Sequence, residues 1–160
     1  MDERERIIAK LKAIEEYTFA KAKSGDFWSY CLYWNRDFFI KRKFLKEVVD
    51  VLQLVHDGYK NGRVVKVAIS MPPRAGKSFT TSLFCSFMLG QFPQESIMRN
   101  SCTSSLYEDL SKSVRSMVSD DRWKRMFGIE LRTKGVKTWA LQTAKMNSYF
   151  GGGVGGTIIE

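Results

Sequence analysis

The sequence predicts an α/β fold, a central and mainly parallel sheet flanked by helices. Three observations carry this reading. A short, apolar, β-branched stretch, "VVKVAIS" (64–70), runs into a Gly-Lys-Ser turn and then into a strongly apolar helical segment. A second strand-like stretch, "SIMRNSC" (96–102), follows that helix. An amphipathic helix follows it in turn. Strand–loop–helix–strand–helix is the order of βαβ units, in which crossover helices join parallel strands.

Each element has its own reason. Residues 3–23 read as a helix because Ile7, Ile8, Leu11 and Ile14 recur at helical spacing among charges, and "KSGD" (23–26) stops it. The aromatic-dense "FWSYCLYWNRDFF" (27–39) reads first as core or lid packing and second as a wall for a flat ring such as adenine. In 43–57, Phe44, Val48, Val51, Leu52 and Val55 keep one apolar stripe, with Gly58 and Gly62 punctuating the end. The run 64–70 has the composition of a strand buried on both faces. The helix that begins near Gly76 carries Phe79, Leu83, Phe84, Phe87 and Met88 over more than half its surface and should be well buried. "FPQE" (92–95) breaks it. Ser105 and Glu108 have the spacing of a capping box, and Leu106, Leu110, Val114 and Met117 trace the next helix face. Beyond 119–128, "IELRT", "VKTWALQT" and "KMNSYFGGG" read as short strands in a hairpin or meander. The closing "GGGVGGTIIE" reads as a glycine-rich turn, and with no helix after it, a poor second phosphate site. Neither repeat nor linker is visible, and 160 residues suit one domain. Within it, 1–62 is a helical N-terminal region and 63–160 a core around the Gly-Lys-Ser turn.

Composition narrows the function. Twenty-six basic against seventeen acidic residues give a net charge of +9, which suits a polyanionic partner. The basic side chains are scattered in groups such as "KRK" (41–43) and "RWKR" (122–125), so a merely soluble basic surface fits as well. Cys31, Cys85 and Cys102 are widely spaced and His56 is the only histidine. Neither a zinc site nor a disulfide framework is expected. "MDERERIIAK" lacks the apolar core of a signal peptide, so secretion is not expected. No run approaches the roughly 20 apolar residues of a membrane span, and no membrane partner is expected.

The chemistry concentrates in "SMPPRAGKSF" (70–79). A phosphate needs inward-pointing amides, a helix N-terminus and a nearby cation. Gly76 lets the backbone approach without a Cβ in the way. The helix beginning there aims unpaired amides and its positive dipole end at an anion. Lys77 can reach β- and γ-phosphates, and the Ser78 hydroxyl can serve Mg²⁺. The common pattern has glycine where Met71 stands. Here Pro72 and Pro73 stiffen the turn instead, and they donate no N–H. The cradle should therefore use the amides of Arg74 to Phe79. Arg74 adds a second positive charge able to stabilise phosphoryl transfer. The expected nucleotide contacts are Pro73, Arg74, Ala75, Gly76, Lys77, Ser78 and Phe79, with Lys77 and Arg74 catalytic and Ser78 on the metal. Asp120 and Asp121 read as a solvated helix end.

"VAISMPPRAGKSFTTSLF", "SCTSSLYEDLSKSVRSMV" and "TWALQ…SYFGGGVGGTI" together resemble the ATPase domain of the large terminase subunit of tailed bacteriophages and prophages. The likeness runs from about residue 40 to the end. The family's Walker A is similar to P-P-R-x-G-K-S, which assigns Arg74, Lys77 and Ser78 by position. The resemblance implies a P-loop NTPase of the ASCE type and an ATP- and Mg²⁺-dependent motor that drives double-stranded DNA into a capsid. It also implies portal-protein and small-terminase partners, a ring of full-length subunits, adenine-side elements before the loop, and the host cytoplasm. Gly155, Gly156 and Thr157 look like the segment before Walker B. The sequence shows no Walker B acids, catalytic glutamate or nuclease domain after it, so it reads as an N-terminal piece truncated before Walker B and poorly active alone. Phe39 and Arg42 are candidates for the adenine side. Arg99, Arg115, Arg122, Arg125 and Arg132 are open as a trans-acting arginine. Two other readings stand beside this one: another DNA-remodelling P-loop NTPase, and a basic binding module whose nucleotide loop is vestigial.

Overall fold

Six helices and one short two-stranded sheet make up the protein in a computed structural model that describes residues 2–154. The chain divides into two units, residues 1–75 and 76–160. Each is described on its own.

The first unit holds α1 (Glu3–Lys23), α2 (Phe27–Lys41) and α3 (Leu45–Lys60). The expected N-terminal helix forms, but its apolar stripe stays in solvent: Ile7, Ile8, Leu11 and Ile14 are exposed, and burial begins only at Thr18 and Ala22. Asp26 caps α2 by accepting from the Ser29 amide at 2.8 Å. The helix kinks at Asn35, whose φ of −156° leaves helical space. The Asn35 carboxamide then accepts from Phe38 N–H at 3.1 Å and restarts the helix. Phe27, Tyr30, Cys31 and Phe39 of α2 are fully buried, so the aromatic segment is chiefly core. In α3 the inward set is Leu45, Val49, Leu52 and His56, rotated about one residue from the stripe the sequence suggested. Gln53 ties these elements together. Its amide oxygen accepts from Phe27 N–H at 2.7 Å, and its amide nitrogen donates to Gly25 O and Asp57 Oδ1 at 2.9 Å each.

The second unit holds α4 (Lys77–Gln91), β1 (Ile97–Ser101), α5 (Ser104–Ser119), α6 (Asp121–Phe127) and β2 (Tyr149–Gly153). β1 and β2 pair in parallel, from Ile97 opposite Tyr149 to Ser101 opposite Gly153. α5 lies between them in the chain and packs on both strands and on α4. Two strands alone are marginal in water. Here the Tyr149 ring is stacked between Tyr107 of α5, 6.3 Å away, and Trp139, 5.1 Å away. All three rings are fully buried. The Trp139 indole donates to Ser111 Oγ at 3.2 Å, and the Tyr107 hydroxyl donates to the Lys137 carbonyl. From α6, the buried Trp123 indole donates to Ser86 O of α4 at 3.0 Å.

This architecture overturns the expected fold class. The described residues are mostly helical and form no central parallel sheet flanked by helices as in a P-loop NTPase. The decisive segment is 64–70, which forms no strand. Val64 is 88% exposed, and Val67 is exposed too. Val65 instead packs over Gly58 of α3, where a Cβ would overlap its side chain. β-branched composition makes a strand only where neighbouring backbone supplies the ladder. Among the described residues the one ladder joins β1 to β2. The βαβ order therefore appears one step later than expected, as β1–α5–β2. Of the strands expected over 129–153, the one in "KMNSYFGGG" forms as β2, but it pairs in parallel with β1 and not in a hairpin. The rest reduces to isolated antiparallel bridges, Leu131 with Leu141 and Trp139 with Tyr149. The cap of α5 also moves: Thr103, and not Ser105, accepts from Leu106 N–H, at 3.2 Å.

The glycines of β2 are strand residues chosen for close approach. A Cβ on Gly151 would overlap the carbonyl oxygen of Arg99 on the facing strand, and one on Gly153 the backbone of Ser104. No helix among the described residues is long and apolar enough to cross a membrane.

Gly151→Ala should destabilise the second unit by more than about 2 kcal/mol, because the strands must separate to admit the methyl group. Gly62→Ala, at a positive φ of 67° but in open space, should cost only about 1 kcal/mol. Urea denaturation of both variants checks the contrast.

Candidate phosphate-binding site

The Gly-Lys-Ser turn opens α4. Gly76 takes the N-cap position with φ 100°, a left-handed conformation that glycine adopts without strain. Lys77, Ser78 and Phe79 then occupy the first turn, where amides have no partner within the helix. The first helical bond runs from Thr80 N–H to Gly76 O at 3.0 Å. Lys77 and Ser78 are exposed, and among the described residues neither side chain makes a hydrogen bond or ion pair.

The electrostatics of this helix end are unusual within the molecule. α1 carries Glu3 and Glu5 in its first turn and α3 carries Glu47. α2, α5 and α6 are capped by Asp26, Thr103 and Asp120. α4 has neither an acid nor a capping side chain, and it adds a lysine at its positive end. Partial positive charge on unpaired amides plus a cation is the opposite of what a helix N-terminus favours. An anion there would satisfy both.

Pro73, Arg74 and Ala75 belong to the first unit, and the remainder of the turn to the second. Arg74 is exposed, with φ 61°, the one positive φ outside glycine among the described residues. Such backbone costs of order 1 kcal/mol and gathers at functional sites. Ala75 N–H turns back toward Pro72 O at 3.4 Å, so this amide is directed to the turn, unlike the expectation that Arg74 to Phe79 all face a ligand.

No protein-family model, no curated protein and no solved structure matches this chain.

Ser78 supplies a single hydroxyl oxygen. Among the described residues no three His, Cys, Asp or Glu side chains gather as a metal site. Mg²⁺ prefers six oxygens and keeps waters and phosphate oxygens as ligands. Ser78 thus fits a metal carried in by phosphates, as one ligand. The expected Gly-Gly-Thr at 155–157 and the following residues lie outside the described part of the chain.

Four of the five open arginines are engaged within the second unit. Arg99 donates to Ser82 Oγ and Thr81 Oγ1, both at 2.9 Å. Arg115 donates to Lys134 O at 2.7 Å and Gly135 O at 2.5 Å. Arg122 pairs with Asp120 at 2.9 Å, and Arg132 donates to Ala144 O at 2.8 Å. Arg125, on α6, is engaged as well. The Arg99 contact with α4 was not readable from motif spacing, because 18 residues separate Arg99 from Thr81. Only the strand-after-helix order hinted at it.

On the proposed adenine side, Phe39 is buried and packs edge-on against Trp28 at 5.9 Å. Arg42 stacks over Phe38 at 4.2 Å. Phe39, being buried, presents no ring face to solvent. A cavity of about 420 Å³ in the first unit is lined by Tyr17, Lys21, Trp28, Arg36, Lys46 and Asp50, among others. Lys46 lies over the Trp28 ring at 5.5 Å and pairs with Asp50.

Asp120 is the N-cap of α6, which agrees with its reading as a helix end: its carboxylate accepts from Arg122 N–H at 2.8 Å. The Arg122 side chain, and then this amide bond, hold its carboxyl below the usual range against the effect of burial. A depressed carboxyl stabilises the fold above about pH 4 and loses that contribution as pH falls through its folded value. Asp120→Ala should therefore cost about 1 kcal/mol at pH 7. The gap from wild type should narrow steadily below pH 4 in urea titrations.

Proposed function

We propose that the turn from Pro73 to Phe79 binds the polyphosphate of ATP with Mg²⁺. We further propose that the chain is the ATP-binding part of a DNA-packaging motor of the large terminase kind, in which ATP hydrolysis drives double-stranded DNA into a capsid. One observation carries the first part: α4 alone among the helices begins with no acid and no cap, but with left-handed Gly76, Lys77 and Ser78. In this reading the amides of Gly76 to Phe79 hold phosphate oxygens. Lys77 neutralises β- and γ-phosphate charge, and Ser78 gives one oxygen to the metal. Arg74 supplies a further charge during transfer. The second part rests on the sequence likeness and on the net charge of +9. Portal protein, small terminase subunit, a ring of full-length subunits and the host cytoplasm belong to the same proposal.

A second reading keeps the phosphate turn but not the motor: a basic binding module with a vestigial loop. The exposed, unpaired 64–70 segment favours it, since a working loop of this kind is normally anchored by a strand.

Lys77→Ala should abolish binding of Mg·ATP by the 160-residue chain in titration calorimetry, without lowering the melting temperature. Unchanged ATP binding in that variant would exclude the phosphate site. In an ATP-hydrolysing motor assembly that contains this chain, Arg74→Ala should lower turnover at least tenfold while affecting ATP affinity less. Full turnover would remove Arg74 from the chemistry.

A further inference from the structure

Arg99 stands on β1, directly opposite Gly151 in the ladder. Its guanidinium reaches across to the first two turns of α4. One nitrogen donates to Ser82 Oγ and another to Thr81 Oγ1, both at 2.9 Å. Thr81 Oγ1 in turn lies 3.0 Å from Lys77 O and 3.2 Å from Ser78 O.

The direction of this relay is fixed by the donor inventory. A guanidinium can only donate, and a hydroxyl has one proton to give. With Arg99 donating to it, Thr81 must spend its proton on the carbonyls of Lys77 and Ser78. Those are the two residues that carry the ammonium and the hydroxyl of the phosphate turn. A bond from a charged donor is stronger than a neutral one. Arg99 thereby clamps the backbone that aims Lys77 and Ser78.

The charge of Arg99 is not neutralised by this contact. Among the described residues no carboxylate lies within ion-pair distance of it. Its other neighbours are neutral: burial pushes the Cys85 thiol and the Tyr149 hydroxyl up, and Arg99 opposes the rise in both. A part-buried cation without an acid therefore sits beside a helix end that already lacks one.

We propose that Arg99 is a positioning residue of the phosphate site, holding Lys77 and Ser78 through Thr81 and adding positive potential at the start of α4. This inference rests on the phosphate reading above. The Thr81 side chain serves it as the intermediate, and Ser82 as a second anchor on α4.

The test uses the 160-residue chain with Mg·ATP and, separately, inorganic tripolyphosphate, which has no base to bind. Affinities are read by calorimetry and folding by thermal melting. Variants are Arg99→Met, Arg99→Lys, Thr81→Val, Thr81→Ser and Lys77→Ala. The expected result is at least tenfold weaker binding of both probes to Arg99→Met and Thr81→Val. Thr81→Ser, which keeps the hydroxyl, should rescue binding to within about threefold of wild type. Arg99→Lys, which keeps the charge but can serve fewer of the two hydroxyls at once, should fall between. A merely structural Arg99 would lower the melting temperature without this hydroxyl-dependent rescue. If Arg99→Met itself melts early, Thr81→Val against Thr81→Ser decides. Binding within twofold of wild type in Arg99→Met and Thr81→Val, with Lys77→Ala inactive, overturns the role of Arg99 and leaves the phosphate site standing. No binding of either probe by the wild-type chain overturns both.

Discussion

The rung between Arg99 and Gly151 is the constraint on which the second unit turns. Two strands can lie this close only because Gly151 has no Cβ to meet the Arg99 carbonyl. That approach puts Tyr149, two residues earlier on β2, between Tyr107 and Trp139. Buried aromatic stacks of this kind add to the burial of their area. The stack joins β2, α5 and the 129–148 segment into one core. The same rung fixes where the Arg99 side chain leaves β1, and hence which turn of α4 it can reach. Backbone geometry at one glycine thus propagates to the helix end that carries Lys77.

That helix end, the start of α4, is where the proposed phosphate site lies. Folding has left α4 with unpaired amides, a lysine and no compensating acid, while each of the other helices has an acid or a cap. Arg99 adds charge to the same region instead of removing it. Such an arrangement opposes folding slightly and is relieved by an anion. The proposed phosphate binding would account for that electrostatic imbalance.

The helices were readable because their signals are local. α1, α3, α4 and α5 announce themselves through apolar spacing, and Gly76 marks the start of α4. The strand at 64–70 was misread because its signal is not local. Val64, Val65, Val67 and Ile69 have the right composition, but a strand exists only where a partner accepts its hydrogen bonds. β1 was found, and its partner Tyr149–Gly153 falls within a stretch read as a strand. The parallel pairing of the two was missed, because it joins segments far apart in the chain and rests on the close approach of Gly151 to the Arg99 carbonyl. Gly76 as the start of α4 was readable from the motif, which also puts Lys77 and Ser78 forward for a phosphate. The Arg99–Thr81 relay was not, because it joins residues that only the packing of β1 on α4 brings together.

A backbone amide NMR titration of the 160-residue chain with Mg·ATP tests directly whether anionic phosphate binds at the first turn of α4. Saturable shifts are expected at Gly76, Lys77, Ser78 and Phe79, with a smaller response at Arg99. Shifts confined to residues lining the first unit's cavity, such as Lys21, Trp28 and Lys46, or no shifts at millimolar nucleotide, would contradict binding at that turn.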